Sequence, residues 1–61
     1  MNELIGKDVI LTLEENISVR GKVIDIDASS QVMKIDSIVE KMERMKLYIP
    51  LNRIIIIAID E

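Results

Sequence analysis

The stretch "ISVRGKVIDID", residues 17–27, does not read as one flat strand. Ile17, Val19, Gly21 and Val23 share one parity, whereas Ile24 and Ile26 take the other. Successive side chains of a strand point to opposite faces, so the apolar face changes sides between Val23 and Ile24. A β-bulge or a sharp bend produces such a change. Gly21 stands beside it, where a missing side chain permits curling or close approach of another backbone. A strand that switches its buried face part way along suits a small barrel, whose two halves it serves in turn.

Short strands surround this one. Asn2 can cap a single turn that Gly6 ends, and "DVILTL" (8–13) alternates Val9, Leu11 and Leu13 against Asp8, Ile10 and Thr12. "EEN" (14–16) is short and polar enough for a hairpin loop, and "ASSQ" (28–31) is a turn. "VMKIDSIV" (32–39) reads as a third strand with Met33 and Ile35 inward. Residues 37–46 leave two readings open. Ile38, Met42 and Met45 fit helical spacing, but they also fit a long charged hairpin, which the closely flanking strands favour. "LYIPL" (47–51) is a short strand whose Pro50, lacking an N–H, belongs at an edge or strand end. "LNR" (51–53) makes a tight turn before the last strand, "IIIIAI" (54–59).

That last strand is apolar on both sides: by simple alternation Ile54 and Ile56 point one way, Ile55 and Ile57 the other. A half-exposed strand keeps one face polar. Here one face completes a core and the other, or the edge, needs a neighbouring subunit, because an uncovered strand of this kind is an aggregation hazard.

Size leads to the same place. The 61 residues make one domain, residues 1–61, and a domain this small is marginal without disulfides, metals or oligomerisation. The chain has no cysteine and no histidine, which removes disulfides, thiolate sites and the commonest general base and metal ligand. It therefore reads as a non-enzyme with no cofactor, no catalytic residues and no metal, and oligomerisation is the support left over. Asp25 and Asp27 share a strand face where two carboxylates can hold a hard cation. Keeping that face soluble or pairing with lysines is the simpler role. No apolar run reaches the ~20 residues of a membrane helix, and the acidic start "MNELIGKD" is no signal peptide, so a cytoplasmic protein with no membrane partner is expected. A net charge of −3 argues against a general phosphate-binding surface.

Three stretches, "LIGKDVILTLEENISVRGKVIDID", "SSQVMKID" and "YIPLNRIIIIAI", together resemble the Sm-like (Lsm and Hfq) family. Gly21, Val23 and Asp27 match the glycine, hydrophobic and aspartate of its first motif, and Ile49, Ile54 and the isoleucine run match the frame of its second. The resemblance implies an all-β fold: a small five-stranded, strongly bent antiparallel Sm-like (SH3-like) barrel. It implies a cyclic homo-oligomer of about five to seven subunits, in which the fourth strand of one subunit pairs with the fifth of the next. Tyr48, Ile49, Ile55, Ile56 and Ile57 are then the candidate interface residues. It also implies single-stranded RNA (or DNA) near the pore, in nucleic-acid processing of bacterial or phage type. Ser29, Ser30 and Gln31 of one turn and Asn52 and Arg53 of another are the candidate contacts.

The chain departs from the family on those two turns. "DASSQ" stands where the family has "D-x-x-M-N", so Ser30 and Gln31 replace methionine and asparagine, although the Gln31 amide is suited to a base edge. Pro50 and Leu51 stand in place of an arginine–glycine pair, leaving Arg53 as the nearest cation. Neither turn holds an aromatic stacking platform. Tyr48 can stack a base, but an interface role is the plainer one; Met42 and Met45 read as packing. Lys41, Arg44 and Lys46 alternate with Glu40 and Glu43 as a solvated loop would. The alternative function is an oligomeric protein-binding scaffold on the same barrel without nucleotide binding.

Overall fold

A computed structural model of the chain describes residues 2–38 and 44–60. A 3₁₀ turn, Asn2–Leu4, tucks Leu4 into the core, and Gly6, at φ +88°, turns the chain out of it. Five strands follow: β1 (Asp8–Leu13), β2 (Ser18–Asp27), β3 (Val32–Ile38), β4 (Arg44–Pro50) and β5 (Ile54–Ile59). All neighbouring pairs are antiparallel, in the order β4-β3-β2-β1-β5. The sheet is strongly bent around its own core but is not closed by pairing: β4 and β5 are its two ends. β1 and β5 have the bounds read from the sequence. β4 begins three residues earlier than "LYIPL", because Arg44, Met45 and Lys46 pair with Ile38, Ser37 and Asp36. The choice between hairpin and helix falls mainly on residues 39–43, which lie outside the described residues, as does Met42.

The change of face in β2 is a bulge. Val23 pairs with Ile35 and Asp25 with Lys34, so Ile24 is the extra residue. On the other side of β2, the Gly6 N–H donates to the Val23 carbonyl at 2.8 Å and the Val23 N–H to the Lys7 carbonyl at 3.0 Å. Gly21 is the point where β3 passes close over β2. A Cβ placed there would lie 2.5 Å from Ile35 Cγ2 and 2.6 Å from the Asp36 carbonyl oxygen. β3 folds across β2 at a distance that only hydrogen allows.

The fold encloses Val9, Leu11, Val23, Met33 and Ile35, all at most 1% exposed, with Leu4 and Ile49 at the margins. The inward pair of β3 is the expected one. Among the described residues, one polar side chain joins them. Ser37 is 5% exposed, and its hydroxyl donates to the Arg20 carbonyl at 2.6 Å. The β2–β3 register runs only as far as Lys22 and Asp36, so this side-chain bond ties the strands together just beyond the ladder.

β5 corrects the simple alternation. Leu13 pairs with Ile54 but Thr12 with Ile56, so Ile55 is bulged. Ile54 and Ile57 pack against the core, whereas Ile55 and Ile56 are 63% and 55% exposed. Met45 also differs from the packing role expected of it. It is 48% exposed near the start of β4, opposite Ser37.

Gly21→Ala should lower unfolding stability by about 1–3 kcal/mol, because one of the two close neighbours is backbone and cannot rotate away. Ser37→Ala should cost about 1–3 kcal/mol by leaving a carbonyl without its donor. Urea unfolding of the variants and the parent at equal protein concentration measures both. A loss under 0.5 kcal/mol in both, on the order of an ordinary surface change, would mean that the bend does not depend on these contacts.

Candidate nucleic-acid interface

The turns that carry the candidate contacts follow β2 and β4. The first, residues 28–31, is organised by Asp27. Its Oδ1 accepts from the Ser29 N–H at 3.0 Å, the Ser29 hydroxyl at 2.8 Å and the Ser30 N–H at 3.3 Å. This is an aspartate turn, in which a short carboxylate replaces the backbone acceptor. Gln31 closes it at φ +59°, and its Nε2 donates to the Ala28 carbonyl at 2.9 Å. The second turn is the 3₁₀ segment Leu51–Arg53. The Leu51 N–H donates to the Gln31 carbonyl at 2.9 Å, which holds the two turns side by side.

The side chains are less available than their types promise. The Gln31 amino group and the Ser29 hydroxyl proton already have acceptors within their own turn. What these two residues still present outward is oxygen, suited to accept from base amino and imino groups, and the second N–H of the Gln31 amide. Asn52 and Ser30 are exposed. Arg53 is exposed too, but its guanidinium lies 3.6 Å from the Glu14 carboxylate, on the 3₁₀ turn between β1 and β2. The backbone thus brings the two turns together, while the one cation of the set leans toward a third. Glu14 escaped sequence reading because its proximity to Arg53 depends on the β1–β5 register, in which Leu13 meets Ile54.

The candidate interface residues fall on both ends of the sheet. Tyr48 is 66% exposed on β4, and Ile55 and Ile56 are exposed on β5. The Ile49 side chain is buried in this subunit's own core, and Ile57 is half-buried against it. Both side chains therefore serve this subunit's own core.

Asp27 carries a pH dependence. The Ser29 hydroxyl first, then Ser30 and the two backbone N–H groups, hold its carboxyl below the ordinary aspartate value. These bonds therefore support the turn above the ordinary aspartate range, and the support is lost as pH falls through the lowered folded value. An NMR titration of the Asp27 carboxyl carbon should give a midpoint below that of an unstructured aspartate. Ser29→Ala should move it upward, and the same midpoint in both proteins would deny Ser29 its part.

No protein-family model matches this sequence, and a search of curated proteins finds no match. Solved structures do match. The chain aligns over 98% of its length with the SmAP1 heptamer of P. aerophilum, covering 86% of that chain at 15% identity and TM-score 0.73. A heptameric archaeal Sm protein aligns over 98% of this chain and 94% of its own, at 15% identity and TM-score 0.72. A chain of the NatC complex bound to CoA aligns over 98% and 83%, at 22% identity and TM-score 0.72. At these identities the likeness is one of architecture, and it agrees with the bent five-stranded sheet described above: the chain has the Sm-like fold.

Proposed function

We propose that this chain closes into a cyclic homo-oligomer of about five to seven subunits that binds single-stranded RNA, or DNA, around its pore. The observation that carries the ring is the pair of open sheet ends. Among the described residues, β4 and β5 each have one edge unpaired, and β5 adds the exposed Ile55 and Ile56. Pairing β4 of one subunit with β5 of the next removes every free edge at once. Two structures of the same fold are described as heptamers. Ile56→Lys places a charge on the exposed side of β5 and should convert the assembly to smaller species in sedimentation velocity. A parent protein that sediments as a stable folded monomer at micromolar concentration overturns the ring.

In the ring, the joined turns of Ser29–Gln31 and Asn52–Arg53 repeat around the axis, so weak contacts add through effective concentration. Arg53 meets phosphate by exchanging its exposed pairing with Glu14, a pairing worth only about 0–1 kcal/mol. Arg53→Ala should therefore weaken oligouridylate binding and reduce the salt slope by about 0.7 for each phosphate that Arg53 neutralises. Glu14→Gln should do the reverse and strengthen binding. Gln31→Ala should change base preference while leaving the salt slope alone. A titration of labelled oligo-U and oligo-A at low salt checks all three.

The second reading is an oligomeric scaffold that binds protein and no nucleotide, acting as no enzyme itself. It is favoured by the engaged donors of Ser29 and Gln31 and by the tethered Arg53. An intact ring that ignores every oligonucleotide at low salt establishes it over the first.

A further inference from the structure

The outer faces of β2, β3 and β4 form a shallow groove lined by Asp25, Asp27, Ser30, Val32, Lys34 and Tyr48. The strand registers explain why these residues meet. Asp25 lies opposite Lys34, Lys34 opposite Tyr48, Asp27 opposite Val32, and Val32 opposite Pro50. Lys34 Nζ sits over the Tyr48 ring, 5.4 Å from its centroid. At about 260 Å³, the groove falls below the usual size of small-molecule sites, roughly 300–1,000 Å³, and suits side chains laid across a sheet.

We infer that this groove is a docking site for a cationic, arginine-bearing segment of a protein partner, and that Lys34 stands in for the partner's cation until it arrives. Two carboxylates flank an exposed aromatic face, the pairing of features that attracts a guanidinium: carboxylates take its planar N–H groups and the ring takes its face. The Lys34 position shows that the Tyr48 face already accepts a cation. A nucleic-acid strand is the poorer occupant, because Asp25 and Asp27 would meet its phosphates and Lys34 is the one cation among the lining residues. The groove shares Ser30 with the first candidate turn and Tyr48 with the β4 end of the proposed ring. Its recognition of a cation rests on Asp25, Lys34 and the Tyr48 ring, which Arg53→Ala and Ile56→Lys leave in place, so its failure and theirs are read separately.

The sign of one substitution makes the test sharp. If Lys34 competes with the partner, Lys34→Gln should tighten binding of a capped Arg-Gly-Arg-Gly-Arg peptide by about threefold or more. If the groove takes phosphate, the same change should instead weaken oligonucleotide binding. Peptide titration of the full chain at low salt, followed by amide chemical shifts, should move Asp25, Lys34 and Tyr48. Asp25→Asn and Tyr48→Leu should each weaken binding about threefold or more. Lys7→Gln, which makes the same charge change away from the groove, should tighten it less than Lys34→Gln, and Glu15→Gln should weaken it less than Asp25→Asn. Spectra as dispersed as the parent's confirm that each variant is folded. No shifts at these residues, equal effects of the paired charge changes, or weaker peptide binding in Lys34→Gln would each overturn the proposal. Oligo-U bound on this face, and bound less well by Lys34→Gln, would assign the groove to nucleic acid instead.

Discussion

The fold depends on the close passage of β3 over Gly21. Ile35 and Asp36 approach to within 2.6 Å of where a Cβ would stand, which leaves no room for any other residue type without moving backbone. This contact lets a 10-residue strand belong to both halves of a structure whose whole radius of gyration is 10.9 Å. The Ile24 bulge then turns the outgoing half so that Ile26 packs against the core. The Ser37 hydroxyl takes up the Arg20 carbonyl just past the ladder's end. The three features act together: close approach brings the strands over each other, the bulge resets the parity, and the buried hydroxyl satisfies the backbone left open.

A core built this way is small. Five side chains are almost wholly removed from water, and the chain has no cross-link to add to them. Such a domain gains stability mainly by burying more surface against something else. Among the described residues, the three most exposed large apolar side chains are informative in their positions. Ile55 and Ile56 lie on β5, at one sheet end, where strand addition would cover them, and Tyr48 lies on β4, at the other end, with its ring beside Lys34. The β5 bulge sharpens that division. It turns Ile54 and Ile57 inward and leaves two consecutive isoleucines outward, which an unbroken strand cannot do.

Much of this was legible in the sequence because it rests on parity. The reversal between Val23 and Ile24 calls for a bulge or a sharp bend, and Gly21 beside it permits the close approach that the bend needs. The strand β1 and the inward Met33 and Ile35 follow from the same rule, while the turns at 28–31 and 51–53, and with the latter the start of β5, follow from residue type. What escaped depends on register. No local pattern sets Ser37 under Arg20, Lys34 over Tyr48 or Glu14 beside Arg53, since each pair is far apart in sequence and meets only through strand pairing. The β5 bulge escaped for a related reason: four isoleucines in a row carry no polar residue to mark the slipped position. The candidate turns were legible as turns, but the chemistry left free on them was not. Residue type shows that Gln31 has an amide; only the fold shows that one of its two N–H donors is already used.

Charge is the remaining constraint on function. With a net charge of −3, this chain cannot attract a polyanion through its overall field, so nucleic-acid affinity would have to come from local geometry repeated by symmetry. Four of the cations already have a partner. Arg20 pairs with Asp60 at 3.1 Å, Arg44 with Asp36 at 3.0 Å, Arg53 with Glu14, and Lys34 rests over Tyr48. These pairings are exposed and individually weak, so each can be exchanged for a partner's charge at small cost. The direction of exchange differs between sites. Releasing Arg53 from Glu14 presents a cation beside the two joined turns, whereas displacing Lys34 uncovers an aromatic face between carboxylates. One acidic surface can in this way hold two sites of opposite preference, separated by which member of a weak pair gives way.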